Sequence, residues 1–354
     1  MTSDCRIITT KLNLLTIFLF CLGIPVSAEK DVIRTTKILV GGDTMFNWGI
    51  AESKKKFGRN SALIGLRDIF SEADYRIVNL ETPVIERGSP DPDKPYVFRA
   101  KDEDLLSLKD IGVDMVTLGN NHTMDHGVNG LLETFEFLSG FGIEYSGAGM
   151  NLAESWKPKT ISINETVFRF ISVSAIGEKR LFAKKNSPGS TPFWMDRIKK
   201  IPGKNKKKFP HIISVHWGEE YRPFPYSSQI KYAHEMIDSG FSAIVGHHPH
   251  VPQGIEKYRG GIIFYSLGNL VFGSRNQYLN HNMIAILHFK KKELMFCEII
   301  PVFGKFQRSD HIVRTLDLPE AEEFLKEISD LSLQFKTKME IRSGRGYIFF
   351  RKEK

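Results

Sequence analysis

Carboxylate, amide and imidazole side chains recur along this chain in short polar clusters, each directly behind an apolar run. The clusters are Gly41-Gly42-Asp43, Asn79-Leu80-Glu81, Gly-Asn-Asn-His-Thr-Met-Asp ending at Asp125, His-Trp-Gly-Glu-Glu-Tyr from His216 to Tyr221, Gly-His-His-Pro-His from Gly246 to His250, and Ser-Leu-Gly-Asn ending at Asn269. Asp, Glu, Asn and His together offer mixed oxygen and nitrogen donors. That set suits borderline divalent metals such as Mn, Fe or Zn better than Ca or Mg. Glycines beside the histidines allow tight backbone turns, and Pro249 fixes one φ angle between His248 and His250. Residue types alone leave open which of Asn120 and Asn121, and which of His247 and His248, faces a shared site.

The elements that would position these clusters are short and rich in β-branched or aromatic residues. Lys37 to Val40, Tyr75 to Val78, Asp114 to Leu118, Ile212 to Val215, Phe241 to Val245 and Ile262 to Tyr265 each predict a buried strand. Helical spacing over Ser61 to Phe70, Val128 to Leu138 and Gln229 to Asp238 lies between several of them, which predicts an α/β fold. Ile161 to Val173 predicts a hairpin, and the stretch 177–209, rich in Lys, Pro and Gly, predicts a long excursion. Strand-like runs at Met283 to Phe289 and Leu294 to Pro301, then helical spacing from Pro319 to Phe335, make 276–354 the finishing part of the same domain. In open α/β sheets ligands bind beyond the carboxyl ends of the strands. Strands sharing one such edge would bring all the clusters to one place.

The order and content of the clusters resemble the CapA family of capsule, or poly-γ-glutamate, synthesis proteins, over roughly residues 36–275. The His-Trp-Gly and Gly-His-His-Pro-His elements are specific in combination. That family is itself similar to calcineurin-like metallophosphoesterases. The resemblance implies a four-layer α/β/β/α sandwich and two divalent metal ions at the strand ends. It implies Asp43 and His250 as ligands of a first metal, Glu81 as the bridge, and Asn121, His216 and His248 as ligands of the second. His122 would stand near the leaving group with Asp125 beside it. Asn120, Glu220, Tyr221 and Asn269 are expected to shape the substrate pocket by position. The sequence departs from the wider superfamily at Met45, where Asp-x-His is usual, and at Glu81, where Asp is usual. Asp125 and His126 either compensate or orient a ligand. A metal pair about 3.5–4 Å apart activates water and clamps attacking and leaving oxygens.

The chain has 354 residues, 41% of them hydrophobic and 25% charged, enough for one large domain with a sizeable core. Arg6 and Lys11, the apolar run Leu12 to Val26 and the small residues Val26-Ser27-Ala28 predict a signal peptide over 1–28. The apolar run is shorter than the roughly 20 residues of a membrane span; left uncut, it would anchor the protein. Cleavage would remove Cys5 and Cys21, leave Cys297 alone, and so exclude an internal disulfide. The expected setting is the periplasm or cell surface. Expected partners are an anionic envelope polymer or its precursor and membrane-bound polymer synthase components. The formal net charge is +8, with Lys199, Lys200, Lys204, Lys206, Lys207 and Lys208 gathered around Pro202-Gly203 as a solvated loop or an anionic docking patch. Export and the lack of a recognition motif argue against nucleic acid. No nucleophile elbow, dinucleotide fingerprint or Walker A motif is present. Two readings follow: a metal-dependent hydrolase of envelope polymer metabolism, or a non-catalytic accessory or polymer-binding component of an assembly or export machine.

Overall fold

Side-chain alternation along the strands sorts the apolar residues into layers. Successive residues of a strand point to opposite faces. Ile38, Val40, Ile77 and Met115 enter a core shared between two sheets, whereas their neighbours Leu39, Val78 and Val116 face outward. On the facing sheet Phe170, Ile212, Val245 and Phe264 enter the same core, and Ile171, Ile213, Ile244 and Ile263 face away. Both faces of each sheet are buried, which is why these strands read as continuous apolar runs. Leu105 and Leu108 of helix Asp102–Asp110, with Leu131 and Leu138 of helix Gly127–Gly140, cover the outer face of the first sheet. Ala233, Met236 and Ile237 of helix Ser227–Ser239 cover the second. The result is the four-layer α/β/β/α sandwich.

The computed structural model describes residues 35–205, 208–273, 281–304 and 312–350. The expected signal peptide, with Cys5 and Cys21, and Lys206 and Lys207 of the basic stretch lie outside the described residues. No helix of the described residues is long and apolar enough to cross a membrane. The first sheet has ten strands. Thr36–Thr44 is flanked on one side by the parallel strands Tyr75–Leu80, Met115–Thr117 and Glu144–Ser146. On its other side run the antiparallel strands His281–Lys290, Glu293–Phe303, Arg345–Phe349 and Glu340–Arg342. The second sheet has six strands, with Thr166–Ser174, His211–His216, Ala243–His247 and Gly261–Phe264 parallel in its centre. The strands behind the polar clusters are therefore divided between two sheets.

The hairpin Lys159–Ile163 to Thr166–Ser174 turns at Asn164 and Glu165, with φ 44° and 64°, the two positive values a two-residue type I′ turn requires. The helix expected over Ser61 to Phe70 is instead a 3-10 turn, Ile64–Leu66, running into the short helix Arg67–Ser71. A crossing segment occupies the groups a regular helix would use: the Val313 amide donates to the Ala62 carbonyl at 2.8 Å, and the Val313 carbonyl lies against Gly65. The excursion 177–209 carries the helix Met195–Ile198 and the strand Gly189–Ser190, which pairs with Ala148–Gly149. Lys199 reaches Glu235 at 3.2 Å, so part of the basic stretch is engaged at the surface. Helix Glu320–Leu333 inserts Phe324, Leu325 and Ile328 into the core between the sheets. Cys297 is fully buried there, and burial pushes its thiol well above the usual range, as befits an inert packing residue.

Close backbone approach at the strand ends depends on glycine. A Cβ at Gly246 would stand 1.9 Å from the Tyr265 carbonyl oxygen. Gly246→Ala is therefore expected to cost about 1–3 kcal/mol or more, as forced overpacking does. Calorimetry reads this as a lowered Tm; an unchanged Tm would contradict the close approach of these two strands.

Candidate metal centre

Parallel register lines up polar residues from strand to strand. In the first sheet Thr117 pairs with Asn79, Asn79 with Asp43, and Asp43 with Asn269. In the second sheet Ser174 pairs with His216 and His216 with His247. The two rows meet where His247 Nδ1 lies 3.1 Å from Asp43 Oδ1. Asn79 is the hub of the first row. Its Nδ2 donates to Asp43 Oδ1 at 2.8 Å and to Glu81 Oε2 at 3.5 Å, while its Oδ1 accepts from Thr117 Oγ1 at 2.8 Å and Asn120 Nδ2 at 3.1 Å. Asn79→Ala leaves several buried polar groups unpaired, so a loss of about 2–3 kcal/mol is expected. Chemical denaturation should show it as a lower midpoint at unchanged m; a stability change within error would contradict the hub role.

The histidine turn is held against its own backbone preference. His248 and His250 have φ of 95° and 58°, values costly for residues with a Cβ. Four contacts fix them. The His248 amide donates to Asp43 Oδ2 at 3.1 Å, and the Tyr221 amide donates to the Pro249 carbonyl at 2.7 Å. Asn269 pairs its Oδ1 with His250 Nδ1 at 2.9 Å and donates Nδ2 to the His250 carbonyl at 3.3 Å. Sites that keep such strain are commonly functional.

Two donor groups result, and they share one carboxylate. Ligand atoms of Asp43, Glu81 and His250 lie within 4.8 Å of one another, as do those of Glu81, His216 and His248. Asn121 Oδ1 joins the second group, 2.8 Å from His216 Nε2. A third group of the same tightness is Glu220, His248 and His250. Asp43 and Glu81 are both fully buried. Burial alone would raise the Asp43 carboxyl, but hydrogen bonds from His247 and His250 hold it well below the usual range. Glu81 is pushed well above it by burial and by the nearby Asp43, Glu220 and Asp125 carboxylates. Burial carries His216 well below the ordinary imidazole value and His248 down to about 3. His250 also feels burial, yet its bond to Asp43 raises it.

These properties fit a divalent cation. Glu81 Oε1 and His248 Nδ1 are buried with no hydrogen-bond partner among the described residues, and buried polar atoms are rarely left so. Neutral imidazoles are the ligand form, and a cation would stabilise the ionised form of Glu81. Met45 stays out of the cluster: it is fully buried with Phe98 and Phe272, and its sulfur accepts the Asn47 amide at 2.8 Å.

The remaining expected site residues fall into distinct positions. His122 Nδ1 donates to Asp125 Oδ2 at 2.8 Å, and Asp125 is held by the Phe98 amide at 2.7 Å and by an ion pair with Lys94. Burial lowers His122 below the ordinary imidazole value despite Asp125. Asn120 is turned into the protein, donating to Asn79 and to the Leu80 carbonyl and accepting from the His122 amide and Thr123, so it shapes the loop and not a pocket wall. Asn269 likewise clamps His250. Glu220 and Tyr221 lie on the exposed side, where burial and Glu220 raise the Tyr221 hydroxyl. His126 stands outside the donor groups. Asn79, His247 and Lys94 were not singled out as site residues by sequence. Asn79 and His247 sit within the polar clusters, whereas Lys94 carries no local signal.

Two facing sheets between helices carry a cluster of carboxylate and imidazole donors at their strand ends. Residues 37–274 match the family model described as "Bacterial capsule synthesis protein PGA_cap", and the chain belongs to that family. It is 32% identical to "PGA biosynthesis protein CapA" of Bacillus subtilis, over 77% of this chain and 72% of that one. With "Capsule biosynthesis protein CapA" of Bacillus anthracis it shares 28% identity, over 77% of this chain and 68% of the relative. Among solved structures it is similar to a 5'-nucleotidase precursor from Thermus thermophilus, with a TM-score of 0.46 and 12% identity over 83% of this chain and 57% of that one.

Proposed function

We propose that this protein is a dinuclear metal-dependent hydrolase of envelope polymer metabolism, acting on a capsule polymer of the poly-γ-glutamate kind or on its precursor. The observation that carries the reading is the pair of buried donor groups sharing Glu81. Asp43, Glu81 and His250 would hold one cation, and Glu81, Asn121, His216 and His248 the other. Bound there, Mn, Fe or Zn would lower the pKa of water and polarise a phosphoryl or carbonyl oxygen. The chain's own residues supply the rest. Asn79 and His247 fix Asp43 so that its lone pairs face the cluster. Asp125 keeps the proton of His122 on Nδ1 and stabilises the imidazolium when Nε2 takes up the proton released by the attacking water. That proton then passes to the leaving oxygen or nitrogen.

The bond class is an open choice between a phosphoester and a γ-glutamyl amide, and both need the same activated water. The test is hydrolysis of aryl phosphomonoesters, phosphodiesters and γ-glutamyl amides by the purified protein reconstituted with Mn2+, Fe2+ or Zn2+. Metal-dependent turnover of one class supports the reading. Stoichiometric metal without turnover of any class would leave the accessory role, with the polymer bound and not cut. Export by cleavage after Ala28 belongs to the same proposal. A mature protein whose measured mass does not begin at Glu29 would contradict that part.

A further inference from the structure

Glu220 stands apart from the other acidic residues of the site. Its carboxylate forms the third donor group with His248 and His250, one imidazole from each of the other two groups. Glu81 meets the same imidazoles from the fully buried floor, whereas Glu220 belongs to the exposed side. The loop that carries it is pinned: Gly218 and Tyr221 have φ of 94° and 63°, and the Tyr221 amide bonds to the Pro249 carbonyl at 2.7 Å, between the two histidines. His248 is 6% exposed, and its Nδ1 has no hydrogen-bond partner among the described residues. The donor counts are also unequal. Asn121 brings the group around His216 to four, while Asp43, Glu81 and His250 make three and Met45 is folded away from them.

We propose that Glu220 is itself a metal ligand, closing the solvent side of the cluster beside His248 and His250 and adding a protein donor to a cation held there. This rests on the two-cation reading above. Borderline metals take carboxylate oxygen beside imidazole nitrogen, so Glu220 with His248 and His250 is a donor set such ions accept. The neighbouring Glu219 is a control of equal charge, since its carboxylate is occupied by the Tyr226 hydroxyl and lies 3.6 Å from Arg222.

The experiment is equilibrium dialysis of the full chain against Mn2+, with bound metal counted by elemental analysis, for wild type, Glu220→Gln and Glu219→Gln. Wild type is expected to bind two equivalents. Glu220→Gln should keep one at wild-type affinity and weaken the other by about tenfold or more, at least the loss seen when a metal-site partner is removed. Glu219→Gln should match wild type. Two equivalents at wild-type affinity in Glu220→Gln would overturn the ligand role and leave the two-cation reading standing. Equal weakening in both variants would also overturn it, as a general charge effect of the mouth. No bound metal in wild type would overturn the reading beneath it.

Discussion

A Glu81→Ala variant is expected to lose both cations together, and with them all turnover, because Glu81 is the donor common to the two groups. Its effect on the metal-free protein should be small. Burial and three nearby carboxylates already push the Glu81 carboxyl towards its neutral form, so its removal relieves an unfavourable burial and costs mainly a small cavity. Metal-free wild type and variant should thus melt within about 1 kcal/mol of each other, by the scale of compensating core changes. Wild type alone should gain stability with metal, about 2.7 kcal/mol per cation at a hundredfold excess over Kd. Calorimetry with and without Mn2+ separates the two contributions. A variant that is far less stable without metal would show that Glu81 serves the fold and not a cation.

The second large effect is expected at His122. Its ring is fixed by Asp125 at 2.8 Å and packed, tilted, with its centroid 4.2 Å from that of Phe98, and it belongs to none of the donor groups. His122→Ala should therefore keep both equivalents of metal and lower kcat by about 10²–10⁴, the usual contribution of a positioned acid or base. Asp125→Asn should act in the same direction, by about 10–100-fold, through the orientation and charge of the ring. Loss of metal in His122→Ala would instead make it a ligand. An unchanged kcat with metal retained would remove it from the proton path.

Much of this arrangement is visible in the sequence because strand periodicity and polar punctuation coincide. Ile38, Leu39 and Val40 alternate between two cores without changing chemical type, so the run announces a doubly buried strand, and Asp43 follows it beyond a glycine pair. What the chain does not reveal locally is register. Asn79 becomes a hub only because parallel pairing sets Asp43 and Thr117 on either side of it, 36 and 38 positions away in sequence. The same holds for Asn120 and Asn121. Adjacent and chemically identical, one is used up inside the loop and the other meets His216 across the gap between the sheets. Lys94 reaches Asp125 from a segment without regular structure, and no pattern marks it. The final hairpin turns at Ser343-Gly344, with φ of 49° and 73°, and its first strand, Glu340–Arg342, is three residues long with one apolar residue, too short for a periodic signal.

The central claim is that two cations share Glu81 at the junction of the sheets. Elemental analysis of the purified wild-type protein, as isolated and after reconstitution with Mn2+, Fe2+ and Zn2+, tests it most directly. The account predicts close to two equivalents of one transition metal per chain. Less than a tenth of an equivalent under every condition, roughly the level at which occupancy is negligible by mass action, would contradict it and leave a capsule synthesis family protein without metal chemistry.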